Sequence, residues 1–280
     1  MAWGSKPKPA PPKVAPPRTA PIPHAIPSSA NGPVIDATTI TSLLAVVILL
    51  ASAYFASVRL LPKTATLKTR VLFIWHLFDA LIHLVFEGSF LYNCFFVSYS
   101  LPTSFSAQNR HHPAIRILTP PDVYWLGRED RLYGASYGQG VFSKLWQEYA
   151  KADRRWGGVD LTVVTLEVLT VMVGAPLALV VCQMLRGEER KGGLRKWFWM
   201  VVLATGELYG GWMTFGPEWL TGSPNLDTSN WMYLWLYLVF FNGLWVAFPL
   251  WILYEAYRAL GSAMSQAEVV DLVNYLKKDD

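Results

Sequence analysis

The sequence predicts an all-α polytopic membrane protein, a five-transmembrane-helix bundle with an intramembrane ligand cavity. Of its 280 residues, 52% are hydrophobic and only 16% are charged, whereas soluble domains carry about 25% charged residues. Long apolar runs alternate with charged segments, and at least four runs reach the length of about 20 residues that a membrane helix needs. Ionisable residues inside these runs predict an internal cavity, because a charge that faces lipid is costly.

The chain divides into three predicted parts. Residues 1–36 are rich in proline and predict a disordered tail, since they offer little apolar surface and few backbone donors. Residues 37–260 predict the five-helix membrane domain, and residues 261–280 a polar cytoplasmic tail. The predicted spans cover about residues 40–61, 71–97, 161–185, 197–215 and 231–254.

The second and third spans are joined by a long loop over about residues 98–160. Within it, the apolar and polar side chains of residues 142–150 recur at helical spacing and predict a short amphipathic helix. The two cysteines, Cys94 and Cys182, fall inside predicted spans. They indicate packing residues and no disulfide framework.

The basic residues predict the orientation of the chain. The connections between spans one and two and between spans three and four are rich in Lys and Arg, whereas residues 216–230 contain neither. The positive-inside rule therefore predicts a luminal N-terminus and a cytoplasmic C-terminus. The final residues, Lys277-Lys278-Asp279-Asp280, form a dilysine pattern that is typical of retrieval to the endoplasmic reticulum membrane.

The second span carries four ionisable residues, His76, Asp79, His83 and Glu87. At the α-helical period they lie on one stripe, which must face the bundle interior or a wet cavity. His83 and Glu87 are i,i+4 neighbours, so the carboxylate can orient the imidazole and tune its basicity. A buried pair that only stabilises helix packing remains an alternative.

The third and fourth spans each add one acid. Glu167 is followed one turn later by Thr170, and a lone intramembrane Glu is a candidate functional residue. Glu207 lies between Gly206 and Gly210, where contact between close helices and a role in a pocket are equally good interpretations.

The fifth span places Trp235, Asn242 and Trp245 on one side. The face of a Trp ring stabilises a cation by about 2 kcal/mol when both are desolvated. Carboxylates, an imidazole, an amide and an indole in an apolar environment predict proton transfer on an apolar ligand through a cationic intermediate. Moving a carbon–carbon double bond needs an acid, a base, electron-rich groups and the exclusion of water.

Four segments, in order between residues 71 and 260, carry a resemblance to a known family. They are residues 82–88, with His83 and Glu87; 145–153; 167–176, with Glu167 and Thr170; and 241–245, followed by Pro249. Together they resemble motifs of the emopamil-binding protein family, the sterol Δ8–Δ7 isomerases with an EXPERA domain. Residues 37–260 would then form the isomerase domain.

The resemblance implies a role for individual residues. By position, His83, Glu87 and Glu167 would transfer protons with the help of Asn242, and Trp245 would face the carbocation. The predicted substrate-binding residues are Thr170, Trp156, Asp79 and Trp235. Trp156 stands where the family usually has tyrosine, Leu166 stands where it has methionine, and Asp79 is an additional charge.

The resemblance also implies the partners of the protein. We expect a sterol substrate in the lipid bilayer, no cofactor and no metal, a homodimer, and inhibition by cationic amphiphilic amines. The net charge of +4 is small, and its basic residues lie beside apolar segments, so nucleic acid is not an expected partner.

Three other interpretations remain open. One is a non-catalytic sterol-binding protein, similar to the sigma-2 receptor. Another is a metal-dependent hydroxylase or desaturase, suggested by His83, Glu87 and the pair His111-His112, although five histidines are few for such a site. The last is a channel or transporter, disfavoured by the lack of inverted repeats.

Overall fold

The computed structural model describes residues 35–101, 119, 123–187 and 189–276. Most of the proline-rich tail and the dilysine pattern therefore lie outside the described residues, and so do His111 and His112. The helices are α1 (Ala37–Leu60), α2 (Leu67–Phe96), α3 (Val141–Tyr149), α4 (Leu161–Arg186), α5 (Glu189–Leu220) and α6 (232–276).

Four helices of the described chain are long and apolar enough to cross a membrane: α1, α2, α4 and the Met232–Val270 part of α6. This confirms the membrane fold class. The predicted fourth span lies on α5, which is long enough but is not among those four. The count of five spans therefore stays a prediction.

Polar side chains fix where the membrane helices begin. Asp36 accepts a hydrogen bond from the backbone N–H of Thr39 at 2.9 Å, and Asp160 accepts one from Val163 at 3.0 Å. These caps satisfy backbone donors that have no partner in the first helical turn. The same bond from Thr39 lowers the pKa of Asp36.

Three of the membrane helices contain π-helical segments. They are Ile82–Glu87 in α2, Thr170–Gly174 in α4 and Met232–Phe241 in α6. A π-helix has a wider turn than an α-helix, with i→i+5 hydrogen bonds, and it often occurs at functional sites. Side chains on either side of such a segment are rotated from the positions that an α-helical period predicts.

The main hydrophobic core lies where α2 meets α4, α5 and α6. Trp75 of α2 stacks on Phe248 of α6 with ring centroids 4.2 Å apart. Other buried members of this core include Leu72, Phe73, Val181, Met200 and Ile252. Both cysteines are buried free thiols, and Cys182 belongs to this core, which agrees with their predicted packing role.

The chain between α2 and α4 closes one end of the bundle. Strands β1 (Ser98–Ser100) and β2 (Arg131–Tyr133) pair antiparallel, with Tyr99 opposite Leu132. The predicted amphipathic helix is present as α3, and it packs against α2 through a hydrogen bond from Trp146 Nε1 to Ser89 Oγ of 3.0 Å.

Glu148 joins three elements at this end. Its Oε1 accepts hydrogen bonds from Thr39 Oγ1 of α1 at 3.0 Å and from the Tyr237 hydroxyl of α6 at 2.9 Å, and its Oε2 binds Lys151 Nζ at 2.5 Å. A buried carboxylate needs such partners to offset the loss of water. Glu148 therefore positions α3 over the bundle.

A buried ion pair fixes the segment that follows α3. The guanidinium of Arg155 binds the carboxylate of Asp153, with an Nη2–Oδ2 distance of 2.6 Å, and donates to the carbonyl oxygen of Thr214 on α5 at 2.5 Å. Burial raises the pKa of Asp153, while the hydrogen bonds from Arg155 act in the opposite direction. This pair ties the chain around Trp156 to α5.

Candidate active site

A cavity of about 910 Å³ lies among the helices, and every helix contributes to its wall. Its wall is mainly apolar, with Phe78, Phe86, Leu203 and Phe241 among the lining residues. Polar groups occur at a few places; those used below are His83, Glu87, Tyr149, Glu167, Thr170, Glu207 and Asn242. A concave apolar site with a few convergent polar groups is typical of a ligand pocket.

His83 is the centre of the polar cluster. Its Nδ1 lies 2.5 Å from Glu87 Oε2, as the i,i+4 spacing predicted. Its Nε2 lies 2.9 Å from Asp79 Oδ1, an ion-pair distance without the geometry of a good hydrogen bond. The imidazole is therefore held between two carboxylates of the same helix, and nearly all of its surface is buried.

Glu167 approaches this cluster from α4. Its side chain is buried and interacts directly with that of Glu87. One of its oxygens, Oε2, has no hydrogen-bond partner among the described residues. The structure thus brings His83, Glu87 and Glu167 together.

Trp245 borders the same cavity from α6. Its ring centroid lies 6.4 Å from that of His83 and 6.1 Å from that of Phe78. The indole Nε1 donates a hydrogen bond of 2.8 Å to Asp79 Oδ1. This bond fixes the orientation of the indole at the edge of the acid cluster.

Asp79 does not have the position that a substrate-binding residue needs. It is 0% exposed and is not among the residues that line the cavity. Its contacts with His83 and Trp245 place it behind these two side chains, so the structure does not bring Asp79 into the cavity, and direct binding of substrate by Asp79 stays a prediction. Asp79 supports the site from its outer side.

Trp235 is also placed away from the cavity. Its side chain is 53% exposed and does not line the cavity, whereas Asn242 and Trp245 do. The prediction that Trp235, Asn242 and Trp245 lie on one side of the helix assumed an α-helical period. The residues of α6 up to Phe241 are π-helical instead. The wider turn rotates Trp235 away from the later residues, so the structure does not bring it together with them, and its assignment to the binding site stays a prediction.

Asn242 lies at the end of that π-helical segment and lines the cavity. Its Nδ2 donates to the carbonyl oxygen of Leu238 at 2.8 Å, to that of Tyr237 at 3.0 Å and to the hydroxyl oxygen of Tyr149 at 3.0 Å. The amide thus satisfies carbonyl groups of the irregular turn and fixes Tyr149 in the wall.

Thr170 and Trp156 line the cavity as predicted. Thr170 is the first residue of the π-helical segment of α4, and its hydroxyl donates to the carbonyl oxygen of Leu166 at 2.8 Å. Trp156 stacks on Trp146, with ring centroids 4.8 Å apart and nearly parallel planes. Both tryptophans belong to the wall at the closed end of the bundle.

Sequence reasoning missed Tyr149 as a site residue. It lines the cavity, and burial raises the pKa of its hydroxyl above the ordinary value. The hydroxyl therefore stays protonated and can donate to a ligand. Its position within the motif of residues 145–153 is the sequence feature that could have indicated Tyr149 as a site residue.

Glu207 was left undecided from the sequence, and the structure places it in the cavity wall. Both of its carboxyl oxygens are buried without a hydrogen-bond partner in the described chain. The side chain interacts with Asp79. Glu207 is thus an additional acid on the Asp79 side of His83. The spacing of residues within one span could not predict this position, because it depends on how α5 packs against the other helices.

The fold and cavity define a class: a helical membrane protein with an acid-rich, mainly apolar ligand pocket between its helices. Residues 141–256 match the family model EXPERA (EXPanded EBP superfamily). This match includes Trp156, Glu167, Asn242 and Trp245 and confirms the resemblance to the emopamil-binding protein family.

Curated proteins that are similar to this chain share one name. The chain is 33% identical over 128 residues to 3-beta-hydroxysteroid-Delta(8),Delta(7)-isomerase of Mus musculus, covering 45% of this chain and 54% of that relative. It is 30% identical over 131 residues to the Rattus norvegicus protein of the same name, covering 46% and 55%. The chain thus spans about half the length of these two relatives.

A longer match is found with a plant protein. The chain is 25% identical over 200 residues to the probable 3-beta-hydroxysteroid-Delta(8),Delta(7)-isomerase of Oryza sativa subsp. japonica. This match covers 71% of this chain and 72% of that relative.

Proposed function

We propose that the protein is a sterol Δ8–Δ7 isomerase of the endoplasmic reticulum membrane. The observation that carries this proposal is the convergence of Glu87, Glu167, His83 and the indole of Trp245 on one apolar cavity. The names of the mouse, rat and rice relatives support it. Its residues 37–260 would form the isomerase domain.

The reaction moves a ring double bond by two proton transfers. The protonated member of the Glu87–Glu167 pair donates a proton to one alkene carbon, which leaves a carbocation on the other. A carboxylate of the cluster then removes a proton from the neighbouring carbon, and the double bond forms in its new position. Protons and electrons balance without an oxidant or a reductant, so the side chains of the site suffice.

His83 serves the proton transfers through Glu87. The Nδ1–Oε2 contact of 2.5 Å keeps the carboxyl in one orientation and lets the imidazole share its proton. General acid–base catalysis of this kind accelerates reactions by about 10²- to 10⁴-fold. The geometry allows either carboxyl of the pair to act as the acid.

The indole of Trp245 and the apolar wall of the cavity stabilise the carbocation. Trp245 presents an electron-rich ring beside the acids, and such a ring stabilises a desolvated cation by about 2 kcal/mol. The apolar wall, closed at one end by Trp146 and Trp156, excludes water that would trap the cation. Thr170, Trp156 and Asn242 would shape the space for the sterol.

The acids and the apolar wall of the cavity also suggest a class of inhibitor. A cationic amphiphilic amine combines an apolar body with a positive charge, so we expect it to occupy the cavity with its charge near Glu87 and Glu167.

We further propose a homodimer, a luminal N-terminus and a cytoplasmic C-terminus. The charge pattern of the connecting loops supports this orientation.

The proposal is tested by sterol profiling in cells that lack their own Δ8–Δ7 isomerase. We expect the wild-type chain to restore Δ7-sterols, and Glu87→Gln and Glu167→Gln to reduce this by about 10²-fold or more. Glu255→Gln is the matched control, because Glu255 pairs with Lys68 at 2.7 Å and does not line the cavity.

Two results would contradict the proposal. Unchanged activity in both carboxyl variants would remove the proposed acid and base. A well-expressed wild-type chain that binds sterol but restores no Δ7-sterol would instead indicate a non-catalytic sterol-binding protein.

A further inference from the structure

The carboxylate of Asp79 contacts two side chains of the proposed site while it stays out of the cavity. Its Oδ1 lies 2.9 Å from His83 Nε2 and accepts the hydrogen bond of 2.8 Å from Trp245 Nε1. No part of its side chain is exposed, and it does not line the cavity. It therefore reaches a ligand only through these two neighbours.

These contacts join two helices. Asp79 and His83 lie on α2, four residues apart, and Trp245 lies on α6. Because one oxygen meets both groups, a displacement of the indole displaces the carboxylate that faces the imidazole. The imidazole and indole rings are held with their centroids 6.4 Å apart and their planes at 50°.

The charged groups around His83 come from three helices. Asp79 and Glu87 belong to its own helix, Glu167 approaches from α4, and Glu207 approaches from α5. From α6 it meets the indole of Trp245. Glu87 and Glu167 lie on the Nδ1 side, whereas Asp79, with Glu207 beside it, lies on the Nε2 side.

We infer that Asp79 is a positioning residue that orients the indole of Trp245 and the imidazole of His83 as one unit. The same carboxylate would then hold the imidazole that contacts Glu87 and aim the ring that faces the cation. This inference rests on the proposed function, and it replaces direct substrate binding as the role of Asp79.

A merely structural role would be a buried carboxylate that ties α2 to α6. Three variants separate the roles. Asp79→Asn retains an oxygen that can accept from Trp245 Nε1 but loses the negative charge beside His83. Asp79→Leu removes both interactions, and Trp245→Phe retains a ring but has no N–H donor.

The experiment measures kcat, KM and the pH profile of sterol isomerisation by the purified full chain in lipid. We expect Asp79→Asn to lower kcat about 10- to 100-fold, because the negative charge 2.9 Å from His83 Nε2 is lost while an oxygen that can accept from Trp245 Nε1 is kept. KM should change by about twofold at most, because Asp79 does not touch the ligand. The pH profile of kcat should differ from that of the wild type, because the negative charge that faces the imidazole is lost.

The link to the indole is tested by a double-mutant cycle. Trp245→Phe should reduce kcat less in the Asp79→Leu background than in the wild type, because the hydrogen bond is already absent there. Should Asp79→Leu not fold, Asp79→Asn and its pH profile still test the inference.

Wild-type activity in the same assay separates the two claims. An inactive wild-type chain would count against the proposed function. With an active wild type, a folded Asp79→Asn variant would overturn the inference in two ways: by keeping the wild-type kcat, or by losing kcat with an unmoved pH profile. Glu255→Gln is the control for removing a carboxylate from a membrane helix, and its kcat, KM and pH profile should equal those of the wild type.

Discussion

His83 Nδ1 and Glu87 Oε2 lie 2.5 Å apart within a π-helical turn of α2. His83 is the second and Glu87 the last residue of this segment (Ile82–Glu87), and both line the cavity. An acid–imidazole pair of this length in an apolar wall is suited to proton transfer. The predictions below follow from this pair and from the residues that hold it.

Replacement of His83 should affect catalysis much more than replacement of its neighbour His76. We expect His83→Gln to lower kcat about 10²-fold or more, because Glu87 loses its proton partner. His76 is equally buried but does not line the cavity, and both of its ring nitrogens have no hydrogen-bond partner in the described chain. His76→Leu should keep kcat within about twofold, since no hydrogen bond is lost. Equal losses in the two variants, measured by sterol turnover, would contradict the role of His83.

Replacement of Trp245 tests stabilisation of the cation. Loss of the aromatic face in Trp245→Leu should lower kcat about 30-fold, which corresponds to about 2 kcal/mol. Trp245→Tyr should retain more activity, because it keeps an aromatic ring. Steady-state kinetics of both variants check this, and a Leu variant as active as the Tyr variant would show that the ring electrons are not needed.

Replacement of Tyr149 tests its contact with the ligand. Its hydroxyl accepts from Asn242 at 3.0 Å, and its raised pKa keeps the proton in place. Loss of one neutral hydrogen bond of about 1 kcal/mol in Tyr149→Phe should raise KM about fivefold and leave kcat nearly constant. For comparison, Tyr137→Phe changes a tyrosine that does not line the cavity and should leave KM unchanged. An unchanged KM in Tyr149→Phe would exclude a contact of this hydroxyl with the sterol.

Replacement of Glu148 should reduce stability. In Glu148→Ala the Tyr237 hydroxyl loses its buried acceptor, at a cost of about 1–3 kcal/mol when it stays unsatisfied, whereas Thr39 Oγ1 can still donate to Asp36 Oδ1 at 3.2 Å. Glu148→Gln keeps an acceptor oxygen and should lose less. Thermal denaturation in detergent measures both variants against Glu255→Gln, which changes an ion pair with an exposed lysine. A Glu148→Ala variant that melts with the control would show that α3 is held by other contacts.

The sequence by itself determined the apolar helices, because about 20 apolar residues in a row leave the chain no better solvent than a bilayer. It also determined the pairing of His83 with Glu87, since a four-residue spacing brings side chains together within one helix. The caps at Asp36 and Asp160 are likewise local, because each side chain binds a backbone N–H three residues later in the chain.

Only the tertiary structure decided which of the other polar groups meet. Asp79 faces Trp245 of a different helix, and Glu207 lies in the cavity wall because α5 packs against α4 and α6. Trp235 lies outside the cavity because the π-helical turns of α6 depart from the α-helical period on which the prediction was based. Contacts between helices depend on their packing and on the pitch of each turn, and neither is encoded in the spacing of residues along one helix.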